Sequence, residues 1–189
     1  MKMTLDEKTL DSLNEEIRHC TKCRLWQSRK IAVPGEGPVP CRVLFIGEAP
    51  GNMEDKTGKP FTGMSGKFLD LMLNEIDMKR QQFYITSSVK CRPPKNRPPK
   101  DDELAICKEN WLNKQIYLIK PQLIVLLGKT ALKQMLGLNE NLVNCHGRII
   151  DYHGIECLIT FHPAASMRFP KIRKEMKKDF QRFKEMINT

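Results

Sequence analysis

Short apolar runs alternate along the chain with segments whose apolar residues recur every three or four positions. Runs rich in branched apolar residues predict strands at 42–46, 83–89, 123–127, 148–152 and 155–160. Helical spacing predicts helices at 5–18, 65–76 and 101–120, shortly after Gly128, and from about Lys171 onward. Apolar strands that alternate with helices predict an α/β layered domain with a largely parallel sheet.

The connections between these elements are rich in proline and glycine at 24–41 and 90–100. No internal repeat or low-complexity run interrupts the pattern, and 189 residues suit one domain with a substantial core. We therefore expect a single domain spanning 1–189.

The charge balance adds information about the partner. Lysine and arginine outnumber aspartate and glutamate by 32 to 22, which gives a formal net charge of +10. This surplus favours nucleic acid or an anionic membrane face, and a well-solvated surface explains it equally well. No run approaches the roughly 20 consecutive apolar residues that cross a bilayer. The N-terminal Met1–Thr4 lacks the pattern of a signal peptide, so we expect a cytoplasmic protein.

Seven cysteines, an odd number, argue against a disulfide framework in an intracellular chain. Cys20 and Cys23 form a C-x2-C pair, and Cys91 and Cys107 are possible partners. Four thiolates can enclose zinc or an iron–sulfur cluster, and the spacing does not choose between these metals or exclude ordinary core cysteines. The remaining cysteines lie in or beside apolar segments and are expected to be buried: Cys41, Cys145 and Cys157.

Three segments leave predicted strands at the carboxyl edge of the sheet, where ligands of such folds bind. They are 47–51, the region after Ser87, and the region from His162 onward. Each has a plain alternative, since 47–51 is also an ordinary turn and His162 is also an ordinary, partly buried histidine. Phe61, in a polar loop, is either a stacking platform for a base or an aromatic plug against the core.

Five motifs in order resemble the family 4 uracil-DNA glycosylases, the thermostable iron–sulfur branch of that superfamily. The resemblance extends from about residue 18 to 187. The matching residues are Cys20-Thr-Lys-Cys23, Gly47-Glu-Ala-Pro-Gly51, Glu54-Asp-Lys-Thr-Gly-Lys-Pro-Phe61, Val89-Lys-Cys-Arg-Pro-Pro94 and Phe161-His-Pro-Ala-Ala165.

This resemblance implies a three-layer α/β/α fold around a four-stranded, mainly parallel sheet. It implies a structural 4Fe–4S cluster on Cys20, Cys23, Cys91 and Cys107. The implied activity is hydrolysis of the N-glycosidic bond of uracil in DNA, which leaves an abasic site. The expected partner is uracil-containing DNA, single- or double-stranded, rather than a membrane, and the protein is expected to act as a monomer.

The resemblance also implies catalytic roles. His162 is expected to donate a hydrogen bond to the departing base as it becomes an anion. Glu48 is the first candidate to position the attacking water, ahead of Glu54 and Asp55. Ala49 stands where other uracil-DNA glycosylases carry a water-activating aspartate.

Four residues are expected to bind the flipped base: Gly47, Ala49, Phe61 and Ser87. Phe61 matches the stacking residue of the family. Ser87 departs from the family, which has an asparagine at this position. A hydroxyl contacts fewer edge atoms than an amide does, so this change affects how the base is recognised.

The expected DNA contacts come from two segments. Arg92, Lys95 and Arg97 lie in the proline-stiffened basic segment, defined as 90–100, which has five basic residues and no acidic one. This composition favours a clamp on the DNA backbone over a merely solvated loop. Met167, followed by Arg168, is the predicted wedge that enters the minor groove.

Two other functions stay open. One is a glycosylase with altered base preference, for example for hypoxanthine or xanthine, because of Ser87. The other is a noncatalytic DNA-binding module with the same fold and cluster. A zinc-stabilised nucleotide-binding protein is more remote, because the chain lacks a G-x-x-x-x-G-K-[ST] phosphate loop. The sequence leaves a sliding-clamp partner undecided.

Overall fold

The computed structural model of the protein describes residues 9–188. A five-stranded sheet runs through the middle of it. The strands are β1 (Val43–Gly47), β2 (Tyr84–Ser87), β3 (Leu123–Leu127), β4 (Ile149–Tyr152) and β5 (Ile155–Thr160). Their order is β2-β1-β3-β5-β4, and only the β4–β5 pair is antiparallel. The strand predictions are confirmed, with β3 and β5 at the predicted bounds and β2 ending two residues early.

The fifth strand, β4, is the difference from the four strands that the resemblance implied. A tight turn at His153 and Gly154, with φ of 53° and 83°, joins β4 to β5. Two consecutive residues with positive φ are typical of the turn that closes an antiparallel hairpin, so β4 pairs with β5 at the sheet edge. The other four strands form the parallel sheet that was expected.

Helices cover both faces of this sheet. They are α1 (Leu10–Arg18), α2 (Asn52–Thr57), α3 (Met64–Asn74), α4 (Asp101–Cys107), α5 (Asn113–Ile119), α6 (Lys129–Leu136), α7 (Leu142–Cys145), α8 (Pro163–Arg168) and α9 (Pro170–Asn188). A π-helical turn at Lys108–Leu112 joins α4 to α5, so the helix predicted at 101–120 forms one continuous run. The start of the helix predicted at 5–18 lies outside the described residues. No helix within residues 9–188 is long and apolar enough to span a membrane.

The core consists of two apolar clusters, one on each face of the sheet. Successive side chains of a strand point to opposite faces. Leu44 and Ile46 of β1 therefore join the cluster that includes α1, α5 and α6, whereas Val43 and Phe45 join the cluster that includes α3 and α9. This arrangement confirms the three-layer α/β/α fold. Three cysteines are buried in or beside these layers, as predicted: Cys41, Cys145 and Cys157.

The carboxyl ends of the parallel strands lie side by side and bring distant loops together. Gly47 at the end of β1 is the register partner of Ser87 at the end of β2. At the other end of the parallel set, the Gly128 N–H donates to the carbonyl oxygen of Thr160, 2.9 Å away, where β5 ends. The loops that follow all four strands consequently open onto one edge of the sheet.

Candidate active site

A cleft of about 630 Å³ lies at the carboxyl edge of the sheet. Five of the residues predicted to bind or convert the base line it together: Glu48, Ala49, Phe61, Ser87 and His162. They come from the chain after β1, the last residue of β2 and the loop after β5, so the fold brings together residues up to 114 positions apart in sequence (162 minus 48). Two of the predicted DNA-binding residues, Arg97 and Arg168, also line the cleft.

The floor of the cleft depends on a contact between Phe61 and Gly47. A Cβ added to Gly47 would lie 2.5 Å from Cζ of Phe61, so any side chain at position 47 would displace the ring. Phe61 is 7% exposed, and its ring centroid lies 5.9 Å from that of His162. Gly47 thus acts through its lack of a side chain, because it lets the aromatic ring approach the strand end closely.

His162 occupies the N-cap of α8, and this position fixes its tautomer. The backbone N–H of Ala164 donates to Nδ1 of His162 at 3.2 Å, so Nδ1 is the acceptor nitrogen and the ring proton is on Nε2. Burial lowers the pKa of His162, and the nearby charges of Glu48 and Glu54 offset only part of that effect. At neutral pH the site therefore presents an uncharged imidazole with one N–H donor.

The three carboxylates near the cleft have different partners. Glu54 accepts hydrogen bonds from the backbone N–H groups of Gly51, Thr62 and Gly63, at 3.0, 2.9 and 2.7 Å. Both of its oxygens are thus used to hold the loop that includes Phe61.

Asp55 is 1% exposed and accepts from the backbone N–H of Lys30 at 2.8 Å, with Arg92 3.9 Å away. Glu48 is only partly buried, and its Oε2 accepts from the hydroxyl of Thr130 in α6 at 2.5 Å. Its other oxygen has no partner in the described part of the chain. Of the three carboxylates, Glu48 is therefore the one with an oxygen free to bind water.

Comparison with known proteins identifies the family. A model of the Uracil DNA glycosylase superfamily matches residues 34–187. The Type-4 uracil-DNA glycosylase of Saccharolobus solfataricus is 42% identical over 95% of this chain and 87% of that protein. The chain belongs to the type-4 uracil-DNA glycosylase family. Two further Type-4 relatives, from Sulfurisphaera tokodaii and Thermotoga maritima, are 41% and 38% identical, each over 96% of this chain and over 86% and 96% of their own length.

The basic segment of this type-4 glycosylase is less uniform than its composition predicts. Lys90 is not on the surface, because its side chain is 1% exposed and its Nζ donates to Thr86 Oγ1 at 2.6 Å and to the Ser87 carbonyl at 2.8 Å. Burial lowers the pKa of Lys90 to about 8. Lys90, one of the five basic residues that give the segment its charge, therefore points into the protein, and the three residues predicted to contact DNA do not include it.

The other basic residues of the segment differ in their partners. Arg97 forms a two-bond pair with the fully buried carboxylate of Glu103, at 2.7 and 2.8 Å. Arg92 donates to Asn96 and Asn52, at 2.7 and 3.1 Å. Lys95 is exposed and has no ion-pair partner among the described residues. Lys95 is thus the freest of the three predicted clamp residues.

The junction between α8 and α9 contains the predicted wedge and a residue that sequence reasoning missed. Met167 is only partly exposed and packs against the apolar cluster on the α3 and α9 side of the sheet. Phe169, two residues later, is 55% exposed and lines the cleft. The sequence feature that could have indicated Phe169 is a large aromatic residue directly before Pro170, outside the apolar periodicity of α8 and of α9. Thr130, which holds Glu48, had no sequence signal at all.

The four predicted metal ligands line one small pocket: Cys20, Cys23, Cys91 and Cys107. Two sulfur atoms accept hydrogen bonds from charged or ring N–H groups, Cys91 from Arg29 at 2.9 Å and Cys20 from Trp111 at 3.1 Å. Within residues 9–188, no three histidine, cysteine or acidic side chains lie close enough to hold a single metal ion. Burial raises the pKa of the Cys91 thiol to about 11, an effect that hydrogen bonding to Arg29 opposes.

Proposed function

We propose that this protein is a uracil-DNA glycosylase that hydrolyses the bond between uracil and its deoxyribose and leaves an abasic site. One observation supports this most strongly. An aromatic platform, a hydroxyl, a carboxylate with an unpaired oxygen and a neutral imidazole, from Phe61, Ser87, Glu48 and His162, line the same cleft. These are the groups that base recognition and glycosidic cleavage require, and membership of the type-4 family supports the same function.

The base-binding half of the mechanism follows from the platform. A uracil flipped out of the DNA stack lies against the Phe61 ring, with its edge toward Ser87. As the glycosidic bond lengthens, negative charge collects on a carbonyl oxygen of the base. The Nε2–H of His162 donates to that oxygen, and a donor already fixed by the Ala164 N–H needs no reorientation during the reaction.

The sugar half of the mechanism uses Glu48. Its unpaired oxygen accepts a hydrogen bond from the attacking water, while Thr130 holds the other oxygen. The negative charge of Glu48 also stabilises the positive charge that develops on the sugar. Glu54 holds the loop of Phe61 with both of its oxygens, and buried Asp55 binds the backbone N–H of Lys30, so both carboxylates have structural roles instead.

The DNA on both sides of the flipped nucleotide is bound mainly through its phosphates. Arg97 and Arg168 line the cleft, and Arg92 and Lys95 belong to the same basic segment as Arg97. The wedge comes from the α8–α9 junction, with Met167 as the residue predicted from sequence and Phe169 as the more exposed candidate. We propose that single- and double-stranded DNA are both substrates, that the enzyme acts as a monomer, and that it works in the compartment that contains the chromosome.

We also propose a 4Fe–4S cluster on Cys20, Cys23, Cys91 and Cys107. The residues present fit such a group, because the four thiols share one pocket and N–H donors from Arg29 and Trp111 point at two of the sulfurs. N–H donors of this kind tune and stabilise thiolate ligands. When bound, the cluster supplies cross-links between the segment after α1, the basic segment and the end of α4.

The direct test uses oligonucleotides that contain uracil, hypoxanthine or xanthine, incubated with the enzyme and then treated with alkali to cut abasic sites. We expect cleavage at uracil, and a His162→Ala variant should lose roughly 10²–10³-fold in turnover with little change in DNA binding. His19→Ala, at an exposed position on the end of α1, is the matched control. Release of hypoxanthine or xanthine in preference to uracil would instead favour the altered-specificity enzyme, and no abasic sites with any substrate would favour the noncatalytic module.

A further inference from the structure

The backbone of Phe61 adopts a conformation that its side chain disfavours. Its φ is +51°, in the left-handed region, where bulky residues are rare because Cβ crowds the backbone. Such a conformation persists only where the surroundings hold it in place. Because this φ sets the direction of the side chain, it also decides whether the ring lies beside Gly47.

The guanidinium of Arg80 holds this conformation in place. Its Nη1 donates to the carbonyl oxygen of Phe61 and its Nη2 donates to that of Pro60, both at 2.9 Å. A planar guanidinium can bind two successive carbonyl groups in a way that a single ammonium cannot. Arg80 is itself fixed, since Asp70 and Glu36 lie 3.4 and 3.7 Å from its nitrogens and its side chain is only 17% exposed.

The Phe61 carbonyl is also confined from the side of α3. A Cβ added to Gly66 would lie 1.7 Å from the Phe61 oxygen, so the backbone of α3 and the Arg80 side chain both border this carbonyl. Arg80 does not line the cleft, so it does not contact the base directly, and its two hydrogen bonds to the backbone of 60–61 connect it to the platform.

We propose that Arg80 is a positioning residue for base recognition, which keeps the Phe61 ring in the orientation that receives the flipped base. The proposal rests on the proposed function, because it names the device that prepares the uracil pocket before DNA arrives. A platform that is fixed in advance costs less conformational entropy on binding than one that must be ordered by the substrate. Loss of Arg80 therefore weakens the binding of the base itself and leaves contacts with the DNA backbone intact.

The first experiment compares Arg80→Lys with Arg42→Lys. Arg42 is a suitable control because its Nη1 also donates to a backbone carbonyl, that of Ile187, away from the cleft. We expect Arg80→Lys to weaken inhibition by free uracil by about tenfold, within the range of one base–aromatic stacking contact. Affinity for DNA that contains an abasic site should stay within about twofold of wild type. Unchanged inhibition by uracil would overturn the proposal, as would an equal loss of affinity for abasic-site DNA.

A double-mutant cycle tests whether Arg80 acts through Phe61. Phe61→Ala removes the platform, so adding Arg80→Lys to it should lower kcat/KM for uracil DNA by less than about twofold further. Effects that multiply in the double variant would show that Arg80 acts by another route.

Fluorine NMR provides a readout that does not need catalysis. The chain has eight phenylalanines, and with fluorinated phenylalanine the signal of residue 61 is identified by its loss in Phe61→Leu. We expect this signal to shift or broaden in Arg80→Lys and to stay unchanged in Arg42→Lys. An enzyme that releases no uracil would contradict the proposed function, and an unchanged fluorine signal in Arg80→Lys would contradict the role of Arg80, so the two failures are distinguishable.

Discussion

The protonation state of His162 makes the reaction sensitive to acid. Burial places the pKa of this imidazole below its ordinary value of 6.5, so the ring is neutral at pH 7 and gains a proton only in more acidic solution. Protonation at Nδ1 removes the acceptor of the Ala164 N–H and so disturbs the ring that donates to the base. We expect kcat/KM to be level near pH 7 and to fall at a midpoint below pH 6.5, as measured with uracil oligonucleotides. In His162→Ala, the loss of kcat/KM that is due to protonation of the imidazole should be absent. A midpoint above pH 6.5 would contradict the attribution of this loss to His162.

Ser87 is the main difference between this pocket and the pattern of the family, which has an asparagine at this position. Its hydroxyl donates and accepts through a single oxygen, whereas an amide presents a separate donor and acceptor to adjacent edge atoms. Ser87 is 4% exposed and borders the cleft, so a longer side chain there would project into the space for the base. We expect Ser87→Asn to increase uracil excision, measured as kcat/KM. Ser87→Ala, which has neither donor nor acceptor, should lower it.

The opposite outcome for Ser87→Asn has a clear meaning. If this variant loses uracil excision while the wild type releases hypoxanthine or xanthine strongly, the serine is an adaptation to another base. Selectivity that depends on buried hydrogen bonds responds strongly to such a change, so the two outcomes are readily separated.

Individual site residues were predictable from sequence to different degrees. The places of Glu48 and His162 in the cleft were predictable because each directly follows a strand, and the topology of a parallel sheet places strand ends together, whereas Phe61 was predicted from its polar loop and from the family resemblance. The contacts that orient them were not predictable. Thr130 lies 82 residues from Glu48, and Arg80 lies 19 residues from Phe61, and only tertiary packing brings each pair together.

Among the elements, the basic segment combines a structural arginine with a free lysine. Arg97 neutralises the buried Glu103, and its two hydrogen bonds hold the pKa of that carboxyl below its usual range. Lys95 has no such partner among residues 9–188. We expect Lys95→Ala to lower the log–log slope of DNA affinity against salt by about one unit without changing the Tm. An unchanged slope would remove Lys95 from the clamp.

Arg97→Ala should behave differently, because it leaves a buried carboxylate unpaired and lowers the Tm. The depressed pKa of Glu103 contributes stability above the pKa of an unfolded glutamate, about 4.3, and this contribution is lost as the pH falls through the folded value. The Tm difference between wild type and Arg97→Ala should therefore be full at neutral pH and shrink below about pH 4. A constant difference across that range would contradict the ion-pair explanation.

The α8–α9 junction offers two candidates for the wedge, and duplex DNA distinguishes them. A wedge is needed only where a base must leave a stack, so its removal should affect duplex substrates more than single strands. We expect Phe169→Ala to lower excision from duplex DNA by at least about fivefold more than from single strands. Met167→Ala is the matched comparison, and because Met167 packs against the core, it should mainly lower the Tm. The reverse pattern would assign the wedge to Met167.

At the level of elements, the sequence predicted which segments form strands better than it predicted where individual elements and side chains lie. Strands β3 and β5 have the predicted bounds because β3 is buried along its whole length and β5 over its last four residues, and turn residues flank both runs. β4 was predicted as a strand, but its place at the edge depends on the turn at His153 and Gly154. Composition does not predict the burial of Lys90. A lysine among prolines suggests a solvent-exposed side chain, whereas Lys90 is buried and bonded to Thr86.

For the whole molecule, the pocket of the four thiols brings together segments that are distant in sequence, and the proposed cluster would connect them. We expect purified protein to be yellow-brown, with about four irons per chain and broad absorbance near ~400 nm. Cys107→Ala should lose this colour and lower the Tm, because the end of α4 is no longer tied to the segment after α1. Cys145→Ala is the control, since that cysteine is also buried but lies outside the pocket of the four thiols. Colourless protein with one zinc per chain would contradict the cluster.

The contact between Gly47 and Phe61 also constrains how this enzyme can evolve. Every replacement of glycine adds a β-carbon, so no mutation at position 47 is mild enough to be a first step toward a new pocket. Position 87 is different, because serine and asparagine codons can be one nucleotide apart. Base preference can therefore change in evolution through position 87, which faces the edge of the base, while the stacking contact of Phe61 with Gly47 stays the same.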